Sequence, residues 1–137
     1  MINNNLTINK ITDALNVAKD NKVDKKETTF GDILDNAIKE GKTIAGYGAS
    51  VGVTTLLYYY GVASYLDVLF DDNPSKQGLY SPGFHIPVVS SDDIYVRKPD
   101  YILCFPWRYK DPIIKRHQRY RDEGGRFIVP LPQVEIF

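Results

Sequence analysis

The most constraining stretch of the sequence is a short apolar run, Thr43-Ile44-Ala45, that passes directly into Gly46-Tyr47-Gly48-Ala49-Ser50. Apolar residues then resume at helical spacing as Val53, Leu56, Leu57 and Tyr60, and Gly61 follows. Strand, glycine turn and helix in this order are the opening of a Rossmann-like unit. Each glycine has a separate physical task there: Gly46 permits a tight turn and Gly48 a close approach to the backbone. The helix start offers free N–H groups to an anion. The third glycine, Gly52, stands one residue later than the dinucleotide fingerprint places it, with Val51 in the expected position.

Other segments extend the unit. Tyr65–Phe70 reads as a second strand, closed by Asp71-Asp72-Asn73-Pro74. Lys76–Phe84 contains Gly78, Pro82 and Gly83 and reads as a long loop, followed by an extended piece from His85 to Val89. Ser90 or Ser91 is expected to cap a helical turn at Asp92–Tyr95. Tyr101–Phe105 is apolar without alternation, as in a parallel strand covered on both faces. Asp111 is expected to cap one helix, with Pro112 at its first position, running to Glu123 and ending at Gly124-Gly125. Phe127–Val129 is the last parallel strand, and Val134–Phe137 a short terminal one.

Ahead of this unit, Ile8, Ile11, Leu15 and Ala18 predict one amphipathic helix. Phe30, Ile33, Leu34, Ala37 and Ile38 predict another, with Thr29 as N-cap and Gly41 as stop. The expected architecture is α/β: a Rossmann-like three-layer open parallel sheet with two additional N-terminal helices. Residues 1–41 hold the helices and residues 42–137 the Rossmann-like domain. At 137 residues this is the length of one domain.

Composition narrows the function classes. Seventeen basic and seventeen acidic residues cancel, so the broad basic field of a non-specific nucleic-acid binder is missing and no nucleic-acid partner is expected. The basic run from Lys110 to Arg121 reads as a solvated helix face. A single cysteine, Cys104, allows neither an internal disulfide nor a cysteine-based zinc site, and its apolar neighbours make it a small buried hydrophobe. The first residues lack the pattern of a signal peptide, and no apolar run nears the ~20 residues that span a bilayer. The expected location is therefore cytoplasmic, without a membrane partner.

Ligands of open α/β sheets bind at the carboxyl ends of the strands. That rule selects Gly46, Tyr47, Gly48, Ala49 and Ser50 after the first strand, and Lys76, Tyr80 and His85 in the loop after the second. Trp107 and Arg108 follow the fourth. Lys76 and Arg108 suit a phosphate, Trp107 a base, and Tyr80 stacking or a hydrogen bond. Asp71 suits either a ribose hydroxyl pair or a plain polar turn. His117, four residues after Ile113, reads as packing or half-exposed.

Six blocks stand in one order: Gly46-Tyr47-Gly48-Ala49-Ser50, Asp71–Gly78, Tyr80–Pro87, Lys98-Pro99-Asp100-Tyr101, Pro106-Trp107 and Gly124–Pro130. In that order they resemble the C-terminal domain of the sugar C-methyltransferase family, over roughly Gly41 to Pro132. The resemblance implies enzymes that use S-adenosylmethionine to methylate a carbon of a keto-deoxysugar carried on a nucleoside diphosphate. It implies a cysteine-rich zinc region and a methyltransferase domain ahead of the present module. No cofactor or metal is thus expected on this chain, and S-adenosylmethionine belongs to another domain or a partner. The module would bind the nucleotide-sugar and not be catalytic alone, and its catalytic residues are left open. Where many members carry a lysine and an asparagine after the glycine turn, this chain has Gly52 and Thr54. Pro112 stands where an acidic residue is frequent. Two other readings stay open: a stand-alone NAD(P)-type dinucleotide-binding domain, and a structural or assembly domain, for instance a homodimer.

Overall fold

The computed structural model describes residues 29–137; the helix expected around Ile8–Ala18 lies outside them. The first described helix, α1 (Phe30–Lys39), starts on a reciprocal capping box. The Thr29 hydroxyl accepts from the Asp32 N–H and the Asp32 carboxylate from the Thr29 N–H, both at 3.1 Å. Gly41, left-handed at φ 69°, ends it as the sequence predicted. Phe30, Ile33, Leu34 and Ala37 form its buried stripe.

The sheet contains β1 (Ile44–Tyr47), β2 (Leu66–Asp71), β3 (Val88–Ser90), β4 (Tyr101–Cys104), β5 (Arg126–Val129) and β6 (Glu135–Ile136), in the spatial order 3-2-1-4-5-6. β1 to β5 are parallel and β6 joins β5 antiparallel. This is the Rossmann-like order, with its reversal between β1 and β4. Helix α2 (Val51–Tyr60) connects β1 to β2. It is capped by the Ser50 hydroxyl and ended by left-handed Gly61. A short helix, α3 (Ile94–Arg97), precedes β4.

Side chains alternate across the sheet, and each face closes on its own core. On one side Ile44, Leu69, Leu103 and Ile128 pack with Phe30 and Leu34 of α1 and with Val53 and Leu57 of α2. On the other, Ala45, Tyr47, Phe70, Ile102 and Phe127 pack with α3 and with the two short helices that precede β5. Cys104 is fully buried in this second core, and burial pushes its thiol up to about 12.

Two expected elements differ in detail. The helix expected to start at Asp111 begins at Lys110 (α4, Lys110–Arg116), continuing a tight 3-10 turn over Trp107–Tyr109, and no side chain caps it. Pro112 tolerates this because any position in the first turn lacks an internal N–H partner. The helix also breaks at His117 (φ −105°, ψ 34°) and resumes as α5 (Gln118–Asp122). Neither proline nor glycine stands at that break. The second difference concerns His85, predicted to head an extended piece. It is left-handed at φ 53°, inside a turn closed by bonds between Ser81 and Ile86, and the strand itself starts at Val88.

Candidate functional site

The parallel strands put the ends of β1, β2, β3 and β4 on one edge of the sheet. Two polar regions occupy that edge, one on each side of β2. They are divided by the pleat, which sends Asp71 and Asp72 to opposite faces.

On the α2 side lies the glycine turn. Gly46 is inside β1, and a Cβ there would stand 2.5 Å from Leu69 Cδ2 and 3.0 Å from Phe105 Cε2. Its missing side chain is therefore a packing requirement. Gly48 has φ 101°, and a Cβ on it would meet Pro106 Cδ at 3.0 Å. The turn spends two donors internally. The Gly48 N–H goes to the Phe70 carbonyl at 2.7 Å, and the Ala49 N–H to Asp71 Oδ2 at 2.9 Å. The other Asp71 oxygen accepts from the Asn73 N–H at 2.8 Å. A carboxylate of the protein thus sits where the fold offers donors to an anion.

On the α4 and α5 side, residues from distant segments gather around Asp72. The Tyr47 hydroxyl donates to Asp72 Oδ2, the Ser91 hydroxyl donates to Oδ1, and the Arg116 guanidinium lies 3.0 Å from Oδ2. His117, only 3% exposed, has Nε2 at 3.3 Å from the Tyr47 hydroxyl and Nδ1 at 3.0 Å from the Tyr95 hydroxyl. One protonation pattern satisfies every atom. Tyr95 donates to Nδ1, Nε2–H donates to Tyr47, and Tyr47 donates to Asp72. Burial pushes the His117 pKa below its ordinary 6.5, with Arg116 adding to the shift and Asp72 and Asp92 opposing it. The imidazole is therefore neutral at pH 7. Burial also raises the Tyr47 phenol, reinforced by Asp72, so that it keeps its proton. For Asp72 burial pulls upward, yet the bonds from Ser91 and Tyr47 and the charge of Arg116 outweigh it, and the carboxyl titrates below its ordinary range. A cleft of about 560 Å3 opens beside this cluster, lined also by Gln77, Ser90 and Asp92.

Residues 11–132 match the family described as the C-methyltransferase C-terminal domain. The chain belongs to this family. It is 35% identical over 107 residues to the C-methyltransferase NovU of Streptomyces niveus, an alignment that takes in 77% of this chain and 25% of the relative. The chain thus spans about a quarter of the length of that curated relative. Among solved structures it is similar to the UDP-D-quinovosamine 4-dehydrogenase of Vibrio fischeri. That likeness has a TM-score of 0.49 and 14% identity, and covers 67% of this chain and 79% of the other.

The ten residues expected from sequence fall into separate groups on this domain. Gly46 to Ser50 form the end of β1 and the turn, but the Tyr47 side chain crosses to the Asp72 side. Lys76, Tyr80 and His85 lie in the β2–β3 loop, where Tyr80 is 65% exposed. That loop folds against α2, with the Phe84 and Tyr58 rings 4.5 Å apart. Trp107 packs on the core of the α4 and α5 side, and the Arg108 guanidinium stacks over it at 4.9 Å. Sequence reading did not single out Asp72 as a hub, nor Ser91, Tyr95 and Arg116, and it read His117 as packing or half-exposed, where the structure buries it. A signal existed at His117: it lies four residues after Ile113 and three before Tyr120, both buried, which turns its ring inward. Among the described residues, no group of three or more His, Cys, Asp or Glu is placed to hold a metal. No helix among them is long and apolar enough to cross a membrane.

Proposed function

We propose that this C-methyltransferase C-terminal domain is the substrate-side module of a sugar C-methyltransferase and binds a nucleoside-diphosphate sugar along the carboxyl edge of its sheet. S-adenosylmethionine and the methyl-transfer chemistry belong, in this reading, to a methyltransferase domain or subunit that faces the edge. The domain presents the substrate and is not catalytic by itself. One convergence supports the reading. Residues far apart in sequence, Gly46–Ser50, Lys76, Trp107 and Arg108, follow the ends of β1, β2 and β4, while Tyr80 and His85 stand further along the β2–β3 loop, where it runs back to the start of β3. Those three strands are neighbours around the reversal of strand order, where open α/β sheets take their ligands. Lys76 and Arg108 supply positive charge for the diphosphate, and Trp107 an aromatic face for the base.

The test is a titration of the chain with a thymidine-diphosphate deoxysugar, followed by amide chemical shifts. Movement of the Gly48 to Ser50 amides and of the Trp107 indole is expected. Silence at millimolar ligand would refute the proposal. Energy transfer from Trp107 to a reduced nicotinamide cofactor would replace it with dinucleotide binding.

A further inference from the structure

The cleft beside Asp72 lies across β2 from the glycine turn, and its chemistry differs from that of a phosphate site. A carboxylate offers about four lone-pair positions. On Asp72 Oδ2 both are taken, by Tyr47 and Arg116, while among the described residues Oδ1 accepts only from Ser91. One acceptor position on Oδ1 is left, on a side chain 37% exposed. The Gln77 amide nitrogen is spent on the Asp71 carbonyl at 3.0 Å, and its carbonyl oxygen has no partner among the described residues. Asp92 adds a second carboxylate. Among the described residues that line the cleft, one cation stands against these acceptors, Arg116, already engaged by Asp72. Arg119, nearby, stacks over the Tyr95 ring at 4.8 Å and is tied to Glu123 at 3.0 Å.

Such a lining repels a diphosphate and welcomes a group rich in O–H donors. The volume of about 560 Å3 lies within the range of roughly 300–1,000 Å3 usual for small-molecule clefts. The acceptors are held in place: Asp72 is fixed by three donors, and His117 locks Tyr47 and Tyr95 from beneath. We propose that this cleft is the subsite for the sugar ring, with Asp72 Oδ1 and Gln77 Oε1 accepting from ring hydroxyls. The diphosphate stays on the rim with Lys76 and Arg108. The assignment rests on the proposed function and adds where along the edge, and on which face of the sheet, the sugar lies.

The experiment uses amide spectra of the full 137-residue chain titrated separately with thymidine diphosphate and with a thymidine-diphosphate deoxysugar. Only the sugar-bearing ligand is expected to move Gln77, Ser91, Tyr95 and His117. Replacing Asp72→Asn should weaken the sugar nucleotide about tenfold and leave thymidine diphosphate unchanged, because one hydrogen bond to a charged acceptor is lost. Gln77→Ala, in the surface loop, should weaken it about threefold and gives the same reading if the Asp72 variant does not fold. Shifts confined to the rim, or cleft shifts of equal size with both ligands, would overturn the sugar subsite while leaving the proposed function standing. Silence everywhere would remove both.

Discussion

The two polar regions flanking β2 share an edge and a strand, yet they are built in opposite ways. The glycine turn is continuous from Gly46 to Ser50, and backbone geometry shapes it. The Asp72 cluster is discontinuous, drawing on β1, the end of β2, the segment after β3 and the α4–α5 break, and side-chain bonds shape it. A continuous site can be recognised by eye but is held by few independent contacts. A discontinuous one is invisible in the chain but cross-braces it. The contrast predicts that substitutions in the cluster should cost more stability than substitutions in the turn.

The largest effect is expected at the centre of the cluster. His117→Ala removes a buried ring and leaves the Tyr47 and Tyr95 hydroxyls short of a partner, at about 3 kcal/mol by urea denaturation. A loss below about 1 kcal/mol would mean that the cluster braces nothing. Next comes Gly48→Ala, which forces a side chain into φ 101° and against Pro106 and should cost about 2 kcal/mol. If it cost more than His117→Ala, the order proposed for the two regions would be reversed. Asp71→Ala should cost about 1 kcal/mol, since it strips the acceptor from the Ala49 and Asn73 amides at a partly exposed position where water can replace it.

The smallest effect is the response to acid. The unfolded chain takes up a proton on His117 near pH 6.5, the folded chain only at lower pH. Its contribution is therefore complete above pH 6.5 and declines as the pH falls from there through the folded value. Asp72 acts with the same sign lower down. Its contribution is present above the ordinary carboxylate value of 3.8 and is lost as the pH falls through its depressed folded value. Denaturation midpoints between pH 7.5 and 5 should fall in the wild type and less steeply in His117→Phe. Parallel slopes would detach His117 from the acid response.

The legibility of the sequence follows the same division. Helices α1 and α2 could be read because each carries its own stripe, cap and glycine stop within one short window of sequence. β4 could be read because a buried parallel strand is apolar throughout. The start of β2 slipped by one residue, since Tyr65 suits a strand by propensity but serves in a 3-10 turn. The break between α4 and α5 had no local mark. At that position a histidine bonds two tyrosines, one 70 residues away and one 22, and no window of helical periodicity contains them. The glycine turn was legible as a turn. That its donors go to Phe70 and Asp71 was not, because both partners arrive from another strand.

The neighbouring carboxylates Asp71 and Asp72 turn β2 into a calliper. One jaw touches the Ala49 amide on the α2 side, the other the tyrosine and serine hydroxyls on the far side, and a single pleat sets the gap. Loops on either side of the edge can lengthen or change composition without altering that gauge. Deleting one residue within β2 would swap the jaws, deprive both regions at once, and leave a sheet whose interior faced the wrong way.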